Sequence, residues 1–358
     1  MSEKGKKDRQ DWIDLVRLIA MVIVMMNHVG LKVAGVNFWG GMFYVPVFFV
    51  LSGFCFSPDK DDPVKAIRRR AGRLLIPYLV TNLILVLVFL LRDILSGSHE
   101  GILLRSLGFL YGRNQLYYSG DTFFLQNTGD NVYFMTALNS PTWFLPALFL
   151  TYLMMEELCR AGEDASERKD AMIRRQRMLL AILLLVLLSQ IWHYMLPILL
   201  PWSVDAVSVF LVLFYIGFLC GQGGGWKYLT DRPFLFGLML PLLIAGGLIN
   251  GSANLSIGEY GVSMSLGIIN AAASSMLIMY VCYLLRNHVP KLLASAGRKT
   301  LPLLCWHFPL LSVLDAAIMR IIAPKGVLLP ICRGAEIVVV IAVICLADEL
   351  IRKCSKHK

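Results

Sequence analysis

Apolar runs long enough to cross a bilayer recur along the whole chain, and they leave little room for a soluble fold. About 20 consecutive apolar residues cross the hydrocarbon core as a helix. Ten segments meet or approach that length: 12–31, 42–58, 74–92, 141–159, 178–196, 204–221, 233–250, 262–285, 300–322 and 331–351. Of 358 residues, 57% are apolar and 16% charged, with a mean hydropathy of +0.65. A soluble domain carries about 25% charged residues. Run length and composition together predict an all-α, polytopic transmembrane helical bundle of about ten spans.

Charge placement tests that assignment independently. With a cytoplasmic N-terminus, 26 of the 34 Lys and Arg residues fall in the segments expected to face the cytoplasm, namely 1–11, 58–73, 159–177, 222–232, 286–299 and 352–358. This positive-inside bias predicts an even number of spans with both termini cytoplasmic; the expected location is a cell membrane, the bacterial cytoplasmic membrane. The bias also makes the net charge of +10 a topology signal rather than a nucleic-acid footprint. The expected organisation is a basic tail at 1–11, a transmembrane domain at 12–351 and a second basic tail at 352–358. Within that domain lie an external loop at 93–140 and a cytoplasmic loop at 159–177. The first apolar run contains Asp14 and Arg17 and no clear small-residue cleavage site, so it is expected to stay as a span. The eight cysteines lie in or beside spans without CxxC spacing, which indicates neither a disulfide framework nor a metal site.

Ionisable groups inside a span are costly, at least about 2.5–3.5 kcal/mol for Arg or Asp near a helix centre. The first span, DWIDLVRLIAMVIVMMNHVG, holds three. Arg17 and His28 are eleven residues apart, about three turns plus 20°, so they share one helix face about 16 Å apart along the axis. Asp14 lies one turn before Arg17 and can pair with it. Arg17 near a helix end can also snorkel to the interface, and a lone histidine often sits satisfied between helices. A shared face at membrane depth favours a functional stripe.

Other segments add candidates, each with a plainer alternative. Ser52 and Gly53 in PVFFVLSGFCFSP suit close helix packing. Arg70 and Arg73 in KAIRRRAGRLLIPYL form a cationic fork one turn apart, suited to phosphate oxygens or to lipid headgroups. Trp143 in PTWFLPALFL is an aromatic-belt residue by default and a sugar-stacking surface otherwise. His307 in LPLLCWHFPLL is a further intramembrane ionisable group. Three function classes compete on these residues: a membrane enzyme, a transporter or flippase with an Asp-Arg-His pathway, and a scaffold. A scaffold has no need of an aligned ionisable stripe. Paired interrupted helices in equivalent halves, which many transporters show, are not evident.

Taken in order, five pieces resemble the acyltransferase-3 family of membrane acyltransferases: Asp14-x-x-Arg17 followed by His28; VFFVLSGF at 47–54; Arg70-x-x-Arg73-LLIPY; TWFLPALF at 142–149; and WHFPL at 306–310. The resemblance runs from about residue 11 to about residue 350, and LLIPY and WFLPALF look most like sugar O-acetylase members. It implies acyl transfer, usually of acetyl, from cytoplasmic acetyl-CoA or another acyl-CoA as co-substrate, with no permanently bound cofactor. The implied acceptor is a hydroxyl of a cell-surface or lipid-linked glycan. His28 would then be a general base or a transient acyl carrier, Arg17 and Asp14 its companions, and Arg70 and Arg73 the holders of the coenzyme's phosphates. Ser52, Trp143 and His307 would lie on the substrate or acyl path. Ser52, Asn27 and backbone groups are the options for an oxyanion stabiliser. Membrane lipid is an expected partner and nucleic acid is not; the sequence carries no signal for oligomeric state.

Overall fold

In the computed structural model the described residues are 10–33, 35–58, 62–97, 108–118, 135–160, 168–222, 224–251 and 253–356. Parts of the expected loops, 98–107, 119–134 and 161–167, and of the tails, 1–9 and 357–358, lie outside them. Among the described residues the α-helices of six residues or more are α1 (Asp11–His28), α2 (Val36–Phe43), α3 (Pro46–Phe54), α4 (Pro63–Ser96), α5 (Phe144–Arg160), α6 (Arg168–Met195), α7 (Val207–Gly221), α8 (Gly225–Thr230), α9 (Phe234–Asn250), α10 (Met264–Leu284), α11 (Lys291–Gly297), α12 (Thr300–Ile321) and α13 (Leu328–Lys356). Among the described residues there is no β-strand, only two isolated bridges.

Each of the ten expected segments holds a helix. Crossing a membrane is a narrower property. Six helical stretches are long and apolar enough for it: Val64–Ser96, Arg175–Met195, Pro201–Gly221, Met264–Leu284, Thr300–Ile321 and Leu328–Cys354. The bent pair α2 and α3, at 46°, makes a seventh if counted as one span. The expected count of about ten is therefore not reached by this measure, and the shortfall has physical causes. Helices α5 and α9 have 17 residues each. Run 42–58 breaks between Phe43 and Pro46. Helix α1 has 18 residues but carries Asp11, Asp14 and Arg17, so the residues that make it interesting also make it a poor apolar span.

Local signals set the helix ends. At the start of α4, the Asp62 carboxylate accepts from the Lys65 backbone N–H at 2.8 Å and Pro63 takes the first turn, where a missing N–H costs nothing. The same helix stops at Gly97, whose φ of 67° is the left-handed cap that glycine adopts without strain. In α1, Asp11 and Asp14 sit in the first turn and His28 in the last, the polarity that a helix dipole favours.

The chain divides into two compact units: Met1–Phe48, Tyr228–Ala245 and Asn270–Lys358 form one, and Phe49–Lys227 with Gly246–Ile269 form the other. In the first, α12 and α13 form an antiparallel hairpin and α1 packs on α11, α12 and α13. A Cβ on Gly297 would overlap the Asp14 carbonyl, so glycine is what lets α11 close on the start of α1. At the other end, Arg333 Nη1 donates to the Gly30 carbonyl at 2.8 Å, tying the start of α13 to the chain just after His28. Helix α1 thus runs alongside α12, from its start towards the opposite end of the hairpin.

In the second unit α5 packs against α4 and α7, and α6 against α7. Phe49 stacks on Phe210 with ring centroids 4.3 Å apart, and Phe144 meets Phe49 edge-on at 4.9 Å. Gly53 and Gly217 allow α3 and α7 to touch backbone to backbone, the packing role the sequence gives Gly53. Residues 108–118, 196–206 and 253–263, which a ten-span scheme places on the outer side, meet at Arg113. Its guanidinium donates to Asp205 Oδ2 at 2.5 Å, to the Ser256 carbonyl at 3.1 Å, and at 3.4 Å to the carbonyls of Leu200 and Leu255.

Candidate active site

The first unit carries the ionisable stripe of α1. Arg17 Nη1 donates to Asp14 Oδ1 at 2.9 Å, as the spacing of three predicts. Asp14 is 1% exposed and Arg17 27%, so the carboxylate is sealed in the bundle and the guanidinium keeps an open side. His28 occupies the last turn of α1 and is exposed. Beside it Asn27 Oδ1 accepts from Asn37 Nδ2 at 3.1 Å.

Tertiary packing brings in a partner that spacing does not reveal. The ring of His307, from α12, lies 5.4 Å from that of His28, and Phe308 closes on His28 edge-on at 4.9 Å. His307 is fully buried, and its Nδ1 lies 2.7 Å from the Leu303 carbonyl one turn earlier. A carbonyl only accepts, so Nδ1 carries the proton in that contact and Nε2 is the acceptor of the neutral ring. Among the described residues Nε2 has no hydrogen-bond partner. Two imidazoles therefore meet at the C-terminal end of α1, one reachable and one held in a fixed tautomer.

The remaining candidates belong to the second unit. Arg70 lies with its guanidinium 4.8 Å from the centre of the Phe56 ring and 5.2 Å from that of Tyr152. It pairs with Glu156 of α5 and donates to the Ser57 carbonyl at 3.4 Å. Arg73, one turn on, is exposed. The expected fork is thus asymmetric, one arm engaged with a buried carboxylate and the other open. Ser52 lies beside Tyr152. Trp143 is 4% exposed, its ring centroid 5.9 Å from Phe210 and 6.4 Å from Phe144. The ring is buried beside these aromatic neighbours.

Sequence reading does not single out Glu156, Asp315, Arg333 or Glu336. The signal was available, because each is an ionisable group inside or at the edge of an apolar run. No group of three or more His, Cys, Asp or Glu side chains placed to hold a metal ion occurs among the described residues.

The acyltransferase-3 family model, described as an acyltransferase domain, matches residues 10–347. Searches of curated proteins and of solved structures return no match. The matched stretch takes in α1 with its stripe, the Arg70 and Arg73 turn, and His307. The chain therefore belongs to the acyltransferase-3 family and is a multi-pass membrane acyltransferase.

Proposed function

We propose that this protein moves an acyl group, acetyl being the expected one, from a cytoplasmic acyl-CoA to a hydroxyl of a cell-surface or lipid-linked glycan, with His28 as general base. The observation that carries this reading is the meeting of His28 and His307. His307 and Phe308 hold one side of the His28 imidazole while the residue stays accessible. An accessible imidazole held on one side by its neighbours is suited to the role of general base.

The step balances simply. The hydroxyl oxygen forms its bond to the thioester carbon as His28 takes the hydroxyl proton. The tetrahedral adduct then collapses, the carbon–sulfur bond breaks, and the imidazolium returns the proton to the departing coenzyme thiolate. In the two-step alternative His28 itself carries the acyl group, and labelled protein after a single turnover without acceptor distinguishes that route. Arg17, paired with Asp14 and on the same face as His28, is suited to orient the donor's arm. Exposed Arg73 offers the donor's phosphates an open guanidinium, and Arg70 sets the local geometry through Glu156 and its two aromatic neighbours.

Donor binding is the experiment. Purified protein is expected to bind radiolabelled acetyl-CoA saturably, with unlabelled coenzyme A competing. Arg73→Ala is expected to weaken binding about tenfold or more, the loss of one charge-assisted contact of about 1.5–3 kcal/mol. A folded wild-type protein that binds no acyl-CoA contradicts the reading.

A further inference from the structure

The first unit buries more charge than the acyl-transfer chemistry above employs. Glu336 lies on α13, one turn after Arg333, and is 1% exposed. Neither of its carboxylate oxygens has a hydrogen-bond partner among the described residues, and the same holds for Asp315 Oδ1 on α12 and Arg333 Nε. Asp315 and Arg333 are the charged groups that act on Glu336. Buried polar groups in folded proteins are nearly always partnered, so a buried carboxyl with neither oxygen satisfied, one turn from the incompletely partnered Arg333, calls for a physical account. In a membrane interior the cost is higher still.

Position connects this cluster to the histidines. Arg333 Nη1 is bonded to the Gly30 carbonyl, two residues beyond His28. Asp315 follows His307 by eight residues, about 12 Å along the same helix. The side chains therefore gather along the end of the α12–α13 hairpin that faces the C-terminal end of α1.

Charge and donor inventory define what such a place recognises. Two carboxyl groups stand against one guanidinium, a donor-poor setting for the phosphates of a coenzyme A donor. Carboxyl oxygens accept hydrogen bonds, a protonated carboxyl also donates one, and Arg333 Nε only donates. A ligand rich in hydroxyls supplies both complements, since each hydroxyl donates and accepts.

We propose that Asp315, Arg333 and Glu336 form the acceptor subsite, taking a sugar or other polyol through its hydroxyls and holding it at the His28 end of α1. The word acceptor rests on the acyl-transfer reading; recognition of a polyol does not.

The test labels Glu336. Full-length protein in lipid nanodiscs is treated with dicyclohexylcarbodiimide, which attacks carboxyl groups in apolar surroundings, and the adduct on the Glu336 peptide is followed by mass spectrometry. The probe is octyl β-D-glucopyranoside below its micellar concentration, with 1-octanol and octyltrimethylammonium in parallel. Octyl glucoside is expected to slow labelling about threefold at twice its dissociation constant, as mass action requires, whereas octanol does not. Asp315→Asn is expected to remove that protection. An unreactive Glu336, equal protection by octanol, or protection by the ammonium probe alone overturns the proposal. Acetyl-CoA binding is measured on the same samples. Its loss with sugar protection retained sinks the donor reading and leaves the subsite standing, and the converse result does the reverse.

Discussion

Two buried charged side chains, Arg113 in one unit and Glu336 in the other, differ in how completely they are partnered. Arg113 is fully buried, yet its guanidinium reaches Asp205 and three backbone carbonyls, and Asp205 Oδ1 also accepts from the Leu200 N–H at 3.0 Å. That junction also holds Trp202 and Ser203 at φ of 54° and 62°, with the Trp202 indole donating to the Leu110 carbonyl at 2.8 Å. Left-handed backbone at non-glycine residues costs of order 1–3 kcal/mol each and persists only where the surroundings over-determine it. By contrast Glu336 is as deeply buried and has neither carboxylate oxygen satisfied among the described residues. A saturated buried ion pair fastens chain segments together. A buried carboxyl with neither oxygen satisfied is destabilising as it stands and gains from whatever polar ligand completes it.

That contrast predicts opposite responses to substitution. The largest effect is expected at Arg113→Ala, which strands Asp205 and unties three segments. Breaking one side of a buried pair costs about 3–5 kcal/mol, to be read as a steep fall in the unfolding midpoint in detergent or as loss of folded protein. A smaller effect is expected at Trp143→Phe, where the aromatic core loses part of one ring system. About 1–2 kcal/mol of destabilisation with donor binding unchanged is the expected pattern, below the cost of a full truncation to alanine. The smallest effect on stability is expected at Glu336→Gln. Replacing an unsatisfied charge with a neutral isostere is expected to leave the midpoint unchanged or raise it. A destabilisation by Glu336→Gln as large as that of Arg113→Ala erases the distinction between the two side chains.

Much of this was legible in the residues, for identifiable reasons. Apolar runs reveal helices because a membrane helix must be apolar over its own length, a local property. The Asp14–Arg17 pair was equally legible, since three residues on a helix fix neighbours without reference to the rest of the chain. The meeting of His28 and His307 was not, being decided by how α1 lies against α12. For Trp143, the sequence suggests an aromatic-belt residue or a sugar-stacking surface, and the folded chain buries the ring beside Phe210 and Phe144. Arg70 and Arg73 read alike by spacing; only the folded chain separates them, through Glu156, Phe56 and Tyr152. The number of crossings is the weakest inference because α1, α5 and the bent α2–α3 pair are each too charged, too short or too broken to be counted by apolarity alone.

The central claim is that the His28 end of α1 is where acyl transfer happens. Its most direct test is consumption of radiolabelled acetyl-CoA thioester by wild-type protein and by His28→Ala, both shown to be folded and to bind the donor. The account predicts turnover by the wild type and a loss of about 10²–10⁴-fold in the variant, the usual contribution of a positioned general base. Equal turnover by folded His28→Ala contradicts it.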